Sequence, residues 1–114
     1  MATDGLKTII YPVDDLAGAK AVYTALLGEP HTDQPYYVGY SIGDQEVGLN
    51  PRGHAQGLTG ATGYWHVADV EAAVRALVDA GATAGQAPQD VGGGTVLATV
   101  TDPEGNVIGL IQRS

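Results

Sequence analysis

The stretch that decides the fold runs Thr8-Ile-Ile-Tyr-Pro-Val-Asp-Asp-Leu-Ala-Gly-Ala-Lys-Ala-Val-Tyr-Thr-Ala-Leu-Leu-Gly28. It returns in outline as Thr62-Gly-Tyr-Trp-His-Val-Ala-Asp-Val-Glu-Ala-Ala-Val-Arg-Ala-Leu-Val-Asp-Ala-Gly81. Thr8/Thr62, Tyr11/Trp65, Val13/Val67, Asp15/Asp69 and Leu16/Val70 match at a constant offset of 54 residues. Each copy reads as a short strand, an Asp cap, an amphipathic helix and a stopping glycine. Further along, Glu46-Val-Gly-Leu-Asn50 echoes Val107-Ile-Gly-Leu-Ile111 at an offset of 61. A repeat of this length predicts two half-units meeting around a shared surface, and function is expected there.

Working outward, Lys7–Val13 is rich in β-branched and aromatic residues and reads as a strand, with Pro12 marking its end or an edge. Asp14 or Asp15 caps a helix to about Leu27, with Leu16, Ala19, Val22/Tyr23 and Leu26 as its buried stripe and Gly28 as its stop. Residues 29–35 form a polar connector. Tyr36–Ile42 and Gln45–Asn50 flank a Gly43-Asp44 turn and read as a hairpin. Residues 52–60 are a Gly-rich linker between modules of about 5–51 and 61–114.

In the second half Thr62–Val67 is a strand and Asp69 caps a helix over Val70–Ala80, whose stripe is Val70, Ala73/Val74 and Leu77. Residues 83–91 are weakly patterned, Gly92–Gly94 is a turn, and Thr95–Thr101 and Val107–Gln112 are strands about the turn at 102–106. Short strand–helix–strand units predict an α+β layer arrangement with helices outside a curved sheet.

The chain has 114 residues, enough for a modest core. Hydrophobic residues make up 44% and charged residues 16%, the balance of a globular protein rather than a disordered one. Without cysteine there is no thiolate metal site, disulfide or cysteine nucleophile. Five basic against thirteen acidic residues give a net charge of −8, which disfavours nucleic acid and anionic membrane surfaces. No signal-peptide pattern and no membrane-spanning apolar run is visible, so a cytoplasmic protein is expected. Ser41 and Ser114 sit in no nucleophile-elbow context, and Gly92–Gly94 precedes a strand rather than a helix, so it is no phosphate loop.

Val13-Asp-Asp-Leu16, Ala21-Val-Tyr23 with Leu27-Gly28, and above all Asp102-Pro-Glu-Gly-Asn-Val-Ile-Gly-Leu-Ile-Gln112, resemble the vicinal oxygen chelate superfamily. That superfamily includes glyoxalase I, extradiol dioxygenases and the fosfomycin and bleomycin resistance proteins. The resemblance covers nearly the whole chain. It implies two βαβββ modules forming a curved mixed sheet around a cleft, helices outside, and a homodimer.

In the metal-dependent members the ligands lie at the start of each module's first strand and before a Leu in each last strand. Carried onto this chain, those places are Thr8, Thr62, Gly48 and Gly109. None is His, Glu or Gln, so the resemblance implies no metal and no cofactor here, closest in character to the bleomycin-resistance type. The small residues are expected to leave an open pocket floor.

Side chains two apart on a strand share a face. That parity adds Tyr64 and His66 to Thr62, Glu46 and Asn50 to Gly48, Ile111 to Gly109, and points Tyr37 to the cleft. Val38, Tyr40 and Ile42 face the helix, and Trp65 is expected in the core under the second helix. His31 and His54 read as surface residues. The expected ligand-binding set is therefore Thr8, Tyr37, Glu46, Gly48, Asn50, Thr62, Tyr64, His66, Gly109 and Ile111. The expected function is metal-free binding of a small molecule, with sequestration of an antibiotic or of an aromatic or cationic metabolite as its use. The alternative is a lyase or isomerase using His66 or Glu46 as acid/base.

Overall fold

The computed structural model describes residues 3–113; Ser114, the expected end of the second module, lies outside the described residues. The elements follow the order β1 (Gly5–Pro12), α1 (Leu16–Leu27), β2 (Thr32–Gln34), β3 (Tyr37–Ile42), β4 (Gln45–Asn50), β5 (Thr62–His66), α2 (Val70–Asp79), β6 (Thr83–Ala84), β7 (Gln89–Asp90), β8 (Val96–Thr101) and β9 (Val107–Gln112). The chain divides into two compact units, one of Lys7–Thr62, the other of the segment up to Leu6 with Gly63 onward.

In the Lys7–Thr62 unit the strand order is β2-β3-β4-β1. The β3–β4 hairpin is antiparallel, with Val38 opposite Leu49 and Gly39 opposite Gly48. β1 runs parallel to β4, pairing Thr8 with Glu46 and Ile10 with Gly48. The crossover helix α1 starts where the Asp15 carboxylate accepts the Gly18 N–H at 3.0 Å. It ends at Gly28, whose φ of +88° only glycine adopts without strain. Val38, Tyr40 and Leu49 are fully buried against Leu16, Ala19, Tyr23 and Leu27 of α1. The Tyr40 hydroxyl, carried into that core, donates to the Lys20 carbonyl at 3.2 Å and lies 2.9 Å from Thr24 Oγ1.

Two expectations for this unit are corrected. Val22 and Leu26 are 66% and 75% exposed, so the buried stripe passes through Tyr23 and Leu27. The polar connector contains β2, held antiparallel to β3 by the pairing of Thr32, Asp33 and Gln34 with Gly39, Val38 and Tyr37. Pro30 and Pro35 lie on either side of the three paired residues, so neither removes a donor from the ladder.

In the other unit the order is β5-β9-β8-β6, with β7 also on β8. β5 runs parallel to β9, pairing Tyr64 with Gly109 and His66 with Ile111. Asp69 caps α2 through the Ala72 N–H at 3.1 Å, and the Gln112 side chain accepts the Val70 N–H at 2.9 Å. Val67, Val70, Ala98 and Leu110 form the core with Ala73, Val74 and Leu77, as the spacing predicts. Trp65, expected in the core under the second helix, is 38% exposed and stands outside that cluster, a correction to parity reasoning. The repeat survives as hydrogen bonding: Val13 N–H donates to the Asn50 carbonyl at 3.0 Å, and Val67 N–H to the Ile111 carbonyl at 2.9 Å. Among the described residues no helix is long and apolar enough to cross a membrane.

Candidate functional site

The face of the Lys7–Thr62 sheet turned away from α1 carries Thr8, Ile10, Tyr37, Gly39, Glu46 and Gly48, by alternation from the buried Val38, Tyr40 and Leu49. Thr8 is 1% exposed, and Glu46, half-buried, stands opposite it on β4. Gly39 and Gly48 are register partners, and together they form a flat backbone floor. The Tyr37 ring lies on that floor. A Cβ on Gly48 would fall 2.7 Å from ring atoms Cε1 and Cζ, and one on Gly39 would fall 2.9 Å from Cε2. The His31 imidazole also borders the floor, with Cε1 3.1 Å from a Cβ on Gly39.

Asn50 is committed locally. Its amide donates to Gln56 Oε1 at 3.0 Å, and its Oδ1 accepts the Arg52 N–H at 2.9 Å, which shapes the turn after β4. His54, in the same turn region, sits 2.9 Å from Asp14. Thr62, the first residue of β5, is 3% exposed.

The second unit builds a related arrangement from different residues. Tyr64 is 4% exposed and its ring lies on Gly109, its register partner. A Cβ on Gly109 would meet ring Cδ2 at 2.6 Å, Cγ at 2.7 Å and the Gly63 carbonyl oxygen at 2.8 Å. Burial pushes the Tyr64 phenol above its ordinary pKa of 10.0, so it stays a neutral donor across the physiological range. Thr99 stands opposite Gly109 on β8, and its buried hydroxyl accepts the Gln86 N–H at 2.8 Å. Ile111 is 3% exposed, and half-buried His66 pairs with it. The His66 carbonyl accepts from Thr3 Oγ1 and from Asp4 N–H, both at 2.8 Å.

Gly48 and Gly109 were expected to be open floor. Each is instead covered by a tyrosine ring, from β3 in one unit and from β5 in the other. Sequence shows that a side chain is missing; it does not show which neighbour fills the volume. His31, Gly39 and Thr99 were missed for the same reason, although the Gly39–Gly48 pairing follows from the turn at Gly43-Asp44.

These residues do not fit a divalent cation at the superfamily's positions. Such an ion needs several oxygen or nitrogen donors at about 2.0–2.2 Å. Glycine supplies none, threonine hydroxyls are weak neutral donors, and the tyrosine rings occupy the space a ligating side chain would cross. Among the described residues no three His, Cys, Asp or Glu side chains gather into a metal-binding group.

The family model for the Glyoxalase/Bleomycin resistance protein/Dioxygenase superfamily matches residues 5–110. The chain belongs to that superfamily and has its fold, a mixed sheet with two helices. A superfamily member from Vibrio splendidus 12B01 superposes with a TM-score of 0.68 at 17% identity, covering 92% of this chain and 95% of that one. Methylmalonyl-CoA epimerase from Mycobacterium tuberculosis gives 0.71 at 16% identity, over 99% and 90% of the two chains. The Mn(II)-bound glyoxalase from Novosphingobium aromaticivorans gives 0.70 at 16%, over 97% of this chain and 39% of that one. At these identities the likeness is one of fold. No curated protein matches the sequence.

Proposed function

We infer that the chain is a metal-free small-molecule-binding member of the superfamily. The observation that carries this reading is the pair of tyrosine-covered glycines, Tyr37 on Gly48 and Tyr64 on Gly109, at the places where metal-dependent relatives carry ligands. A phenol ring offers a flat stacking surface and a polar end, which suits an aromatic or cationic ligand. The acidic surface favours cations over anions. Sequestration of an antibiotic or metabolite is a use that needs no further chemistry.

Thermal shift tests this directly. Ligand at 100 times its dissociation constant adds about 2.7 kcal/mol of stability. Cationic antibiotics and aromatic metabolites are expected to raise Tm, while Mn²⁺, Ni²⁺ and Zn²⁺ leave it unchanged. Stoichiometric metal in protein purified without chelator would overturn the reading.

A second reading, a lyase or isomerase, is favoured by the fold neighbours that are an epimerase and a glyoxalase. Half-buried Glu46 beside Thr8, or half-buried His66, would then move the proton. Turnover unaffected by both Glu46→Gln and His66→Ala would eliminate this acid/base scheme.

A further inference from the structure

At their matched glycines the two units differ. Gly109 stands opposite Thr99, whose hydroxyl takes the Gln86 N–H at 2.8 Å. Gly48 stands opposite another glycine, Gly39, and over that bare position the chain lays the His31 imidazole. Thr32 is the first paired residue of β2, so His31 precedes the ladder and strand alternation does not set its direction. Two contacts set it instead: the His31 N–H donates to the Gly39 carbonyl at 2.9 Å, and Nδ1 lies 2.8 Å from Thr32 Oγ1. The opposite edge of the ring is thereby turned to the floor. A Cβ on Gly39 would lie 3.1 Å from His31 Cε1, 3.4 Å from its Nε2 and 2.9 Å from Tyr37 Cε2, so both rings flank one stretch of glycine backbone. Among the described residues Nε2 has no hydrogen-bond partner.

The two tyrosines differ as well. Tyr64 is 4% exposed and has almost no surface to offer, whereas Tyr37 is half-buried and keeps part of its ring accessible. We propose that His31 and Tyr37 form one ligand subsite, in which an aromatic ring stacks on Tyr37 and its hydroxyl hydrogen-bonds His31 Nε2. The proposal rests on the metal-free binding reading above and names its ligand class, a phenol.

The chemistry of the imidazole selects the hydroxyl. A threonine hydroxyl either donates to Nδ1, leaving Nε2 as an N–H donor, or accepts from Nδ1–H, leaving Nε2 as an acceptor. A hydroxyl answers both tautomers with a single atom, since it donates and accepts. An ammonium group only donates. A carboxylate only accepts, and it meets the field of a chain of net charge −8 with Glu46 on the same face of the sheet. Stacking on Tyr37 fixes the plane of the ligand, and the hydrogen bond to His31 fixes its rotation within that plane. His31 is thus a specificity-determining residue on the face that carries Gly39 and Gly48.

NMR titration of the full chain at pH 7 with p-cresol and with 4-methylanisole, its methyl ether, tests the proposal through the amide shifts of Gly39 and Gly48. The wild type is expected to bind p-cresol at least about tenfold more tightly than the ether, the scale of one hydrogen bond. His31→Phe brings the two affinities together and leaves that for the ether unchanged. Thr32→Val keeps the imidazole but removes the partner of Nδ1, and it narrows the preference. Tyr37→Leu weakens both probes by about threefold or more. Unchanged circular dichroism and unfolding midpoints show that the variants keep their fold. Equal wild-type affinities overturn the phenol assignment while metal-free binding stands, and a preference that survives His31→Phe overturns the role of His31. Shifts at neither glycine with either probe overturn this subsite and the binding reading together.

Discussion

The Tyr64 ring rests on Gly109 so closely that a methyl group at 109 would stand 2.7 Å from the ring's Cγ and 2.8 Å from the Gly63 carbonyl oxygen. Both obstacles are rigid, since one is the root of a buried ring and the other is backbone. At Gly48 the crowding atoms belong to the far half of the Tyr37 ring, which is only half-buried and can swing aside.

Gly109→Ala is therefore expected to destabilise the fold by about 1–3 kcal/mol, as overpacking does, and Gly48→Ala by less. Urea unfolding of both variants checks the order. Equal costs at the two sites would show that Tyr37 is held as firmly as Tyr64.

The raised pKa of Tyr64 fixes the sign of an alkaline effect. In the unfolded chain the phenol titrates near its ordinary 10.0, while burial holds the native form protonated to higher pH. The native state keeps a proton that the unfolded state has lost, so this stability is complete below about pH 10 and falls as pH rises through the folded pKa. Unfolding midpoints measured from pH 8 to 11 should decline, and Tyr64→Phe should flatten the decline. Tyr23, raised mainly by burial, and Lys20, raised mainly by its hydrogen bond to Asp33, act in the same direction.

Asp102 behaves in the opposite sense. Its carboxylate accepts the Asn106 side-chain amide at 2.9 Å, with the Asn106 and Glu104 backbone N–H groups at 2.9 and 2.8 Å, and these donors hold its pKa below the ordinary 3.8. The associated stability is present above that ordinary value and is lost as pH falls through the folded pKa. Asn106→Ala is expected to return the Asp102 titration toward the ordinary value, followed by NMR of the side-chain carboxyl.

Asp69 closes the first turn of α2 by accepting the Ala72 N–H, and loss of such a cap costs about 1 kcal/mol. Asp69→Ala should lower stability by that amount in chemical unfolding, whereas Asp69→Asn, which keeps the acceptor, should cost much less.

Much of this was legible in the sequence because two periods rarely agree by accident. Asp15 and Asp69 announce both helix starts, and alternation separates Tyr37 from Val38 and Tyr40. On α2 the charged row at 71, 75 and 79 leaves one phase for the buried stripe, and that stripe is found. On α1 apolar residues surround the helix, so spacing alone cannot separate Val22 and Leu26 from Tyr23 and Leu27. The tyrosine-covered glycines were illegible for another reason. Strand parity places a residue on a face, but the lean of a ring along that face is decided by the room its neighbours leave.

The Thr3 hydroxyl and the Asp4 amide meet the carbonyl of His66, a partner 63 residues further along for Thr3, while every strand pairing among β1–β4 lies within residues 8–50. On a ribosome these two sets of contacts cannot form together. The stretch Lys7–Thr62 emerges as a finished set of partners, whereas Thr3 and Asp4 wait for the His66 carbonyl until β5 follows. Translation order thus gives the chain a built-in timetable: Thr3 and Asp4 dock after strands that are synthesised later than they are.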